Sequence, residues 1–288
     1  MLLNLFNKYL VADEFMEAAY EGVSPEIKGW IKKNLALCRN YYRPDMPTEF
    51  SSTTARIENT LITAAKRVCD SVLILYPASY SACGRAVAAS APAFFAGVET
   101  VIAAAVHDPE APCFQMEGCD WFENDARPIF RDFPLDFNLL ASWEVCGVEE
   151  IALLPLNMLD QILGKVSSIA KNEAVRVMVL GSPAWENKIS GLKKTQNLQI
   201  WNESAPEKIQ IQSGLRDELR LLKALHPDSR IVSASSPAPS VKYLVGDDGF
   251  RAKAEQPVLA LSPEYAGCWV WPDLPLDFFR LQSVDVGQ

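Results

Sequence analysis

The chain has only two histidines, His107 and His226, and imidazole is the commonest general base at neutral pH. A mechanism needing two histidine ligands and a histidine base cannot be assembled within one such chain. His226 precedes Pro227-Asp228, which reads as the turn after a helix, so an exposed histidine at a helix C-terminus is the expectation. Cys113 and Cys119, with His107 upstream, lack the C-x2-C or H-x3-H spacing of a structural zinc site. Cys83 stands where a helix is predicted to start, a place that favours thiolate. With no histidine beside it in sequence, it reads as a small core residue.

Carboxylates and small loops offer the remaining chemistry. Glu203 and Glu207 are four apart, but Pro206 and the apolar Ile209 and Ile211 favour loop then strand over one helical face. Each is read as a solvated carboxylate, and Asp247-Asp248 offers a weaker pair for a metal. The segment Ala78-Ser-Tyr-Ser-Ala-Cys-Gly-Arg85 joins a predicted strand to a predicted helix, where free N–H groups can meet an anion. It is neither G-x-G-x-x-G nor a Walker loop. Ser79, Ser81, Gly84 and Arg85 are its candidate cofactor contacts, against a plain connecting turn with Arg85 in solvent.

Parallel strands and helices must position these groups. The apolar run from Val72 to Pro77, an alanine-rich helix and a second run from Thr100 to Val106 form a β-α-β unit, apolar at every strand position as strands buried on both faces are. A proline-rich loop follows, with Asp136 as the cap of a helix that Gly147 ends. Beyond it come a strand at 150–154, a helical stripe at Leu159, Ile162, Leu163, Val166 and Ile169, and a strand at 175–180. A helix carrying Leu215, Leu219 and Leu222 and a strand at 230–234 complete the alternation. Ile57, Leu61, Ala64 and Val68, three to four apart, predict a helix near the N-terminus. The expected fold is α/β, two small Rossmann-like parallel α/β layers with an N-terminal helical arm. Its divisions are an arm at 1–70, a first lobe at 71–135, a second at 136–250 and an aromatic, strand-poor tail at 251–288.

Composition bounds the function. Apolar residues are 49% and charged residues 22% of 288, the balance of a globular protein. A net charge of −9 repels a phosphate backbone, so nucleic acid is not an expected partner. No uninterrupted apolar stretch is long enough to span a bilayer. Met1–Val11 contains Asn4, Asn7 and Lys8 and does not read as a signal peptide. Seven scattered cysteines fit reduced thiols and a cytoplasmic protein. Trp269, Trp271, Phe278 and Phe279 either close the core or form an apolar anchor for a partner.

Several segments taken in order resemble histidinol dehydrogenase, over roughly residues 70 to 250. Tyr80 to Val101, with Ala91-Pro-Ala93 and Ala96-Gly-Val98, is similar to that family's first nucleotide-fold helix and the strand after it. Cys146-Gly-Val-Glu-Glu-Ile151 resembles the start of its second lobe, and Gly181-Ser-Pro183 stands in the place of its V-G-P-G-N turn. Asn202-Glu-Ser-Ala-Pro-Glu-Lys-Ile-Gln-Ile211 parallels N-x-x-A-P-E-H-L-E-I, and Ser236-Pro237, Tyr243 and Gly246 keep the spacing of S-P, G-D-Y and a glycine. The resemblance implies a homodimeric, NAD-linked, zinc-dependent alcohol oxidiser with Glu207 as a catalytic base. The departures are that Lys208 replaces the adjacent catalytic histidine, Lys242 a zinc-binding aspartate, and Asp248-Gly249 an N-H pair. The Q-A-E-H ligand block has no counterpart. An ammonium in place of a metal-binding carboxylate repels a cation, so zinc is not expected. NAD or another small-molecule ligand is the cofactor or partner implied, and Glu207 and Lys208 the catalytic candidates. A non-catalytic interaction or regulatory protein on the same scaffold is the alternative.

Overall fold

The computed structural model describes residues 1–43, 52–57, 60–107, 136–148, 150–181, 186–204 and 208–287. Helices α1 (Asp13–Gly22) and α2 (Pro25–Tyr42) come first, followed by strands β1 (Ser52–Ile57), β2 (Thr60–Val68) and β3 (Ser71–Pro77). Then come α3 (Cys83–Ala96), β4 (Val101–His107), α4 (Phe137–Val145), β5 (Glu150–Pro155), α5 (Leu159–Ile169) and β6 (Val175–Val179). The rest of the chain gives α6 (Glu186–Ser190), β7 (Leu198–Asn202), β8 (Lys208–Gln212), α7 (Arg216–Leu225) and β9 (Arg230–Ala234). It ends with β10 (Tyr243–Val245), α8 (Asp248–Arg251), β11 (Leu259–Leu261) and β12 (Arg280–Gly287).

Two parallel sheets with flanking helices make an α/β fold. The larger runs β5-β4-β3-β6-β7, every neighbour parallel. Its central strands β3 and β4 are apolar, buried runs covered on both faces, which is why they do not alternate. Val72, Ile74 and Tyr76 of β3 join one core with α3 and α4, whereas Leu73 and Leu75 join another with α5 and the N-terminal Leu2 and Phe6. Helix α4 starts where predicted, the Asp136 carboxylate accepting from the Leu139 N–H at 2.9 Å. Strands from both sides of residue 135 share this sheet. The proline-rich loop that follows β4 lies outside the described residues. The smaller sheet runs β11-β10-β8-β9, also wholly parallel.

The N-terminal region departs from its reading. Residues 60–68 form strand β2, not a helix, pairing antiparallel with β1 and with β12 from the far end of the chain. The spacing of Ile57, Leu61, Ala64 and Val68 mimics a helical stripe, but the β-branched Thr60, Ile62 and Thr63 favour a strand once a partner supplies the ladder. The last residues are likewise less strand-poor than expected, since β12 spans Arg280–Gly287. Trp269, Trp271 and Phe279 are buried in the main core, so they close it and are not exposed to anchor a partner.

Candidate functional site at a strand-order reversal

In the larger sheet β4 and β5 build outward from one side of β3, and β6 and β7 from the other. The chain therefore reverses direction between β3 and β6, and connections leave the carboxyl ends of those strands in opposite directions. In doubly wound sheets this crevice is where ligands bind. Three segments meet there: the loop after β3, carrying Tyr80; the residue pair after β6, ending in Gly181; and Glu203, just past β7.

Glu203 is the centre of the cluster. Its Oε2 accepts from the Gly181 N–H, and its Oε1 accepts from the Tyr80 hydroxyl at 3.2 Å and lies 2.7 Å from Arg85 Nε. Gly181 adopts φ +67°, a left-handed conformation that favours glycine. A Cβ there would sit 3.2 Å from the Tyr80 ring, so the amide approaches closely. Arg85, in the first turn of α3, sends Nη1 to Ser229 Oγ at 3.0 Å and pairs through Nη2 with Asp228. The guanidinium thereby ties the crevice to the α7–β9 loop of the second layer.

Burial sets the electrostatics. The side chains of Arg85 and Glu203 are both 0% exposed. Burial pushes the Glu203 carboxyl above its ordinary range, with Arg85 and the Gly181 amide pulling it back. Burial opposes the charge on Arg85, yet Tyr80, Glu203 and Asp228 outweigh it and hold the guanidinium protonated. Removing Arg85 strands the buried Glu203 carboxylate, a loss of about 3–5 kcal/mol, whereas removing Glu203 leaves Arg85 paired with Asp228. Chemically the cluster is a neutralised cation with a carboxylate held by two hydrogen-bond donors and the ion pair to Arg85. Among the described residues no uncompensated positive charge stands in it.

Sequence reasoning treated Glu203 and His226 as solvated and set Arg85 as a cofactor contact against an arginine in solvent; the structure buries all three. Their partners lie on other elements, out of reach of local sequence patterns. His226 is fully buried, its Nε2–H donating to the Gly267 carbonyl at 3.0 Å and its ring 5.0 Å from Trp269. Burial, then Arg85, pushes its pKa down to about 3, so it is neutral and cannot act as a base near pH 7. Cys83 is fully buried and its thiol is pushed up to about 12 by burial, which suits a core residue and not a nucleophile.

Of the other candidates, Ser79 is exposed, Ser81 half-buried and Gly84 buried. Gly84 faces protein: a Cβ there would meet the Gly267 carbonyl at 2.7 Å and His226 at 2.9 Å. Glu207, Cys113 and Cys119 lie outside the described residues. Lys208 is exposed at the start of β8. It stands two residues before Gln210, as Lys242 does before the paired Leu244, so both lysines lie at the same amino edge of the smaller sheet. Asp247 caps α8 through the Phe250 N–H at 2.8 Å and takes a second bond from Gln212, while Asp248 pairs with Arg251. Among the described residues no three His, Cys, Asp or Glu side chains group so as to hold a metal ion.

No family model matches the sequence, and no curated protein matches it. The fold is similar to that of histidinol dehydrogenase from Elizabethkingia anophelis, with a TM-score of 0.53 at 10% identity, covering 96% of this chain and 76% of that one. Lactaldehyde dehydrogenase from Escherichia coli matches with a TM-score of 0.40 at 13% identity, over 82% of this chain but only 47% of its own. An NAD-dependent benzaldehyde dehydrogenase from Corynebacterium glutamicum matches with a TM-score of 0.40 at 9% identity, over 94% and 89%. At such identities the first likeness concerns the fold. Among the described residues no helix is long and apolar enough to cross a membrane.

Proposed function

We propose that this protein is a zinc-independent, nucleotide- or small-ligand-binding relative of the NAD-linked dehydrogenases, holding its ligand at the carboxyl ends of β3 and β6. The observation that carries the reading is the strand-order reversal with Tyr80, Gly181 and Glu203 gathered at its mouth. That position is where a doubly wound sheet presents loops and a helix N-terminus to a dinucleotide. Ser79 and Ser81 are the polar side chains of the loop that retain access to solvent. Zinc does not fit the donor chemistry, because Lys208 and Lys242 bring ammonium groups where the resemblance has an imidazole and a carboxylate. NAD, when bound, would supply hydride chemistry; the chain's own residues would position it.

The test is thermal denaturation with and without NAD⁺. A ligand bound only by the folded state at 100 times its Kd stabilises by about 2.7 kcal/mol, which for a chain of this size is a rise of about 4 °C. An unchanged midpoint at millimolar NAD⁺ would remove the nucleotide reading. It would leave a non-catalytic protein on the same scaffold, the reading favoured by the neutralisation of Arg85 through Glu203 and Asp228.

A further inference from the structure

We propose that the Gly181 amide, the Tyr80 hydroxyl and the Arg85 guanidinium form a binding seat for a small monocarboxylate, and that Glu203 fills this seat from within the chain. The proposal rests on the reading above, that this crevice takes a ligand, and names the chemistry of that ligand. Two hydrogen-bond donors and one paired guanidinium, from the β3–α3 loop, the turn after β6 and the first turn of α3, converge on one carboxylate. None belongs to β7, the strand that delivers Glu203. Both oxygens are engaged, and the donors are buried, Tyr80 at 4% and Arg85 at 0% exposure, so water does not compete for them.

The seat is built to outlast its occupant. Arg85 keeps Asp228 and Ser229 as partners when Glu203 is removed, so its fork stays oriented and partly neutralised. The Gly181 amide is fixed by its left-handed backbone and by packing against Tyr80 and Pro77. Truncating Glu203 to alanine deletes the heavy atoms of an acetate ion, which makes acetate the probe. An external carboxylate in the wild type has to displace Glu203, so the side chain acts as a built-in competitor.

The experiment is thermal denaturation of the full chain against sodium acetate, with sodium chloride at equal ionic strength as reference. Glu203→Ala is expected to gain about 3 °C or more, saturably, over the acetate range. Wild type and the isosteric Glu203→Gln, whose amide still fills the seat, stay flat. So does Glu203→Ala combined with Arg85→Met. Should Glu203→Ala not fold unaided, its refolding yield is expected to rise at least twofold in acetate over chloride. No acetate response in Glu203→Ala by either readout, or an equal response in Glu203→Gln or in the Arg85→Met double variant, overturns the seat. NAD⁺ titrated on the same samples separates the two ideas. An acetate response without a nucleotide response retains the seat and removes only the nucleotide, and the reverse removes only the seat.

Discussion

Two buried side chains far from any motif carry measurable consequences. His226 is neutral in the folded protein, with its pKa pushed down to about 3, whereas in the unfolded chain it titrates near 6.5. The unfolded state therefore binds the extra proton, so the stability His226 contributes is complete above about pH 6.5 and is lost as pH falls toward 3. The slope is about 1.4 kcal/mol per pH unit. Glu203, raised by burial, works in the opposite sense near and above its ordinary range, so the informative quantity is a difference between variants. The stability gap between wild type and His226→Gln, measured in urea at pH 7 and pH 4.5, should narrow by about 2 kcal/mol or more at the lower pH. A gap independent of pH would mean that the ring is not held neutral by burial. Arg176 is fully buried and donates to the carbonyls of Phe278, Arg280, Asn197 and Val175, with no carboxylate partner among the described residues. Each acceptor orphaned by Arg176→Met costs about 1–3 kcal/mol, so a total loss of about 3 kcal/mol or more is expected in urea unfolding. A loss under about 1 kcal/mol would show that water reaches those carbonyls.

Glycine at two helix positions separates packing from propensity at the scale of the element. In α3 a Cβ on Gly84 would lie 2.7 Å from the Gly267 carbonyl, a backbone atom held between His226 and the core. The Gly84 carbonyl is itself held by Asn34 Nδ2 at 2.6 Å, while Asn34 Oδ1 accepts from the Trp269 N–H at 2.8 Å, which locks α2, α3 and the tryptophan segment together. Gly84→Ala should destabilise by about 2 kcal/mol through overpacking. In α2 nothing lies within 4 Å of a Cβ on Gly29, and Gly29→Ala should stabilise by up to about 1 kcal/mol. Equal effects from the two substitutions would remove the interlock. Most of the elements of the larger sheet were legible in sequence. Strands β3 and β4 are continuous apolar runs, and α5 repeats Leu159, Ile162, Leu163 and Val166 at helical spacing. Strands β1 and β2, a local hairpin closing at Ile57 and Thr60, were hidden by a spacing that mimics a helix, and β12 by pairing with β2 from the opposite end of the chain, as Arg280 does with Val68.

The whole molecule combines an α/β scaffold, similar in fold to histidinol dehydrogenase, with a strand-order reversal whose buried Arg85 is already paired. The α/β class was legible in the alternation of strands and helices, and the fold is similar to that of a histidinol dehydrogenase. The crevice itself was half legible. Tyr80, Arg85 and the Gly181 turn lie in segments the sequence marked, yet Glu203, which joins them, looked like one more surface carboxylate because its partners are distant in the chain. The homodimer implied by the resemblance is retained as a proposal, checked by light scattering of the full chain. Binding of a nucleotide or related small ligand without zinc, as proposed above, is checked by calorimetric titration of NAD⁺ into protein dialysed against a chelator. Saturable binding is expected, with a Kd that added zinc does not change. Absence of binding, or binding that appears only when zinc is restored, would contradict it.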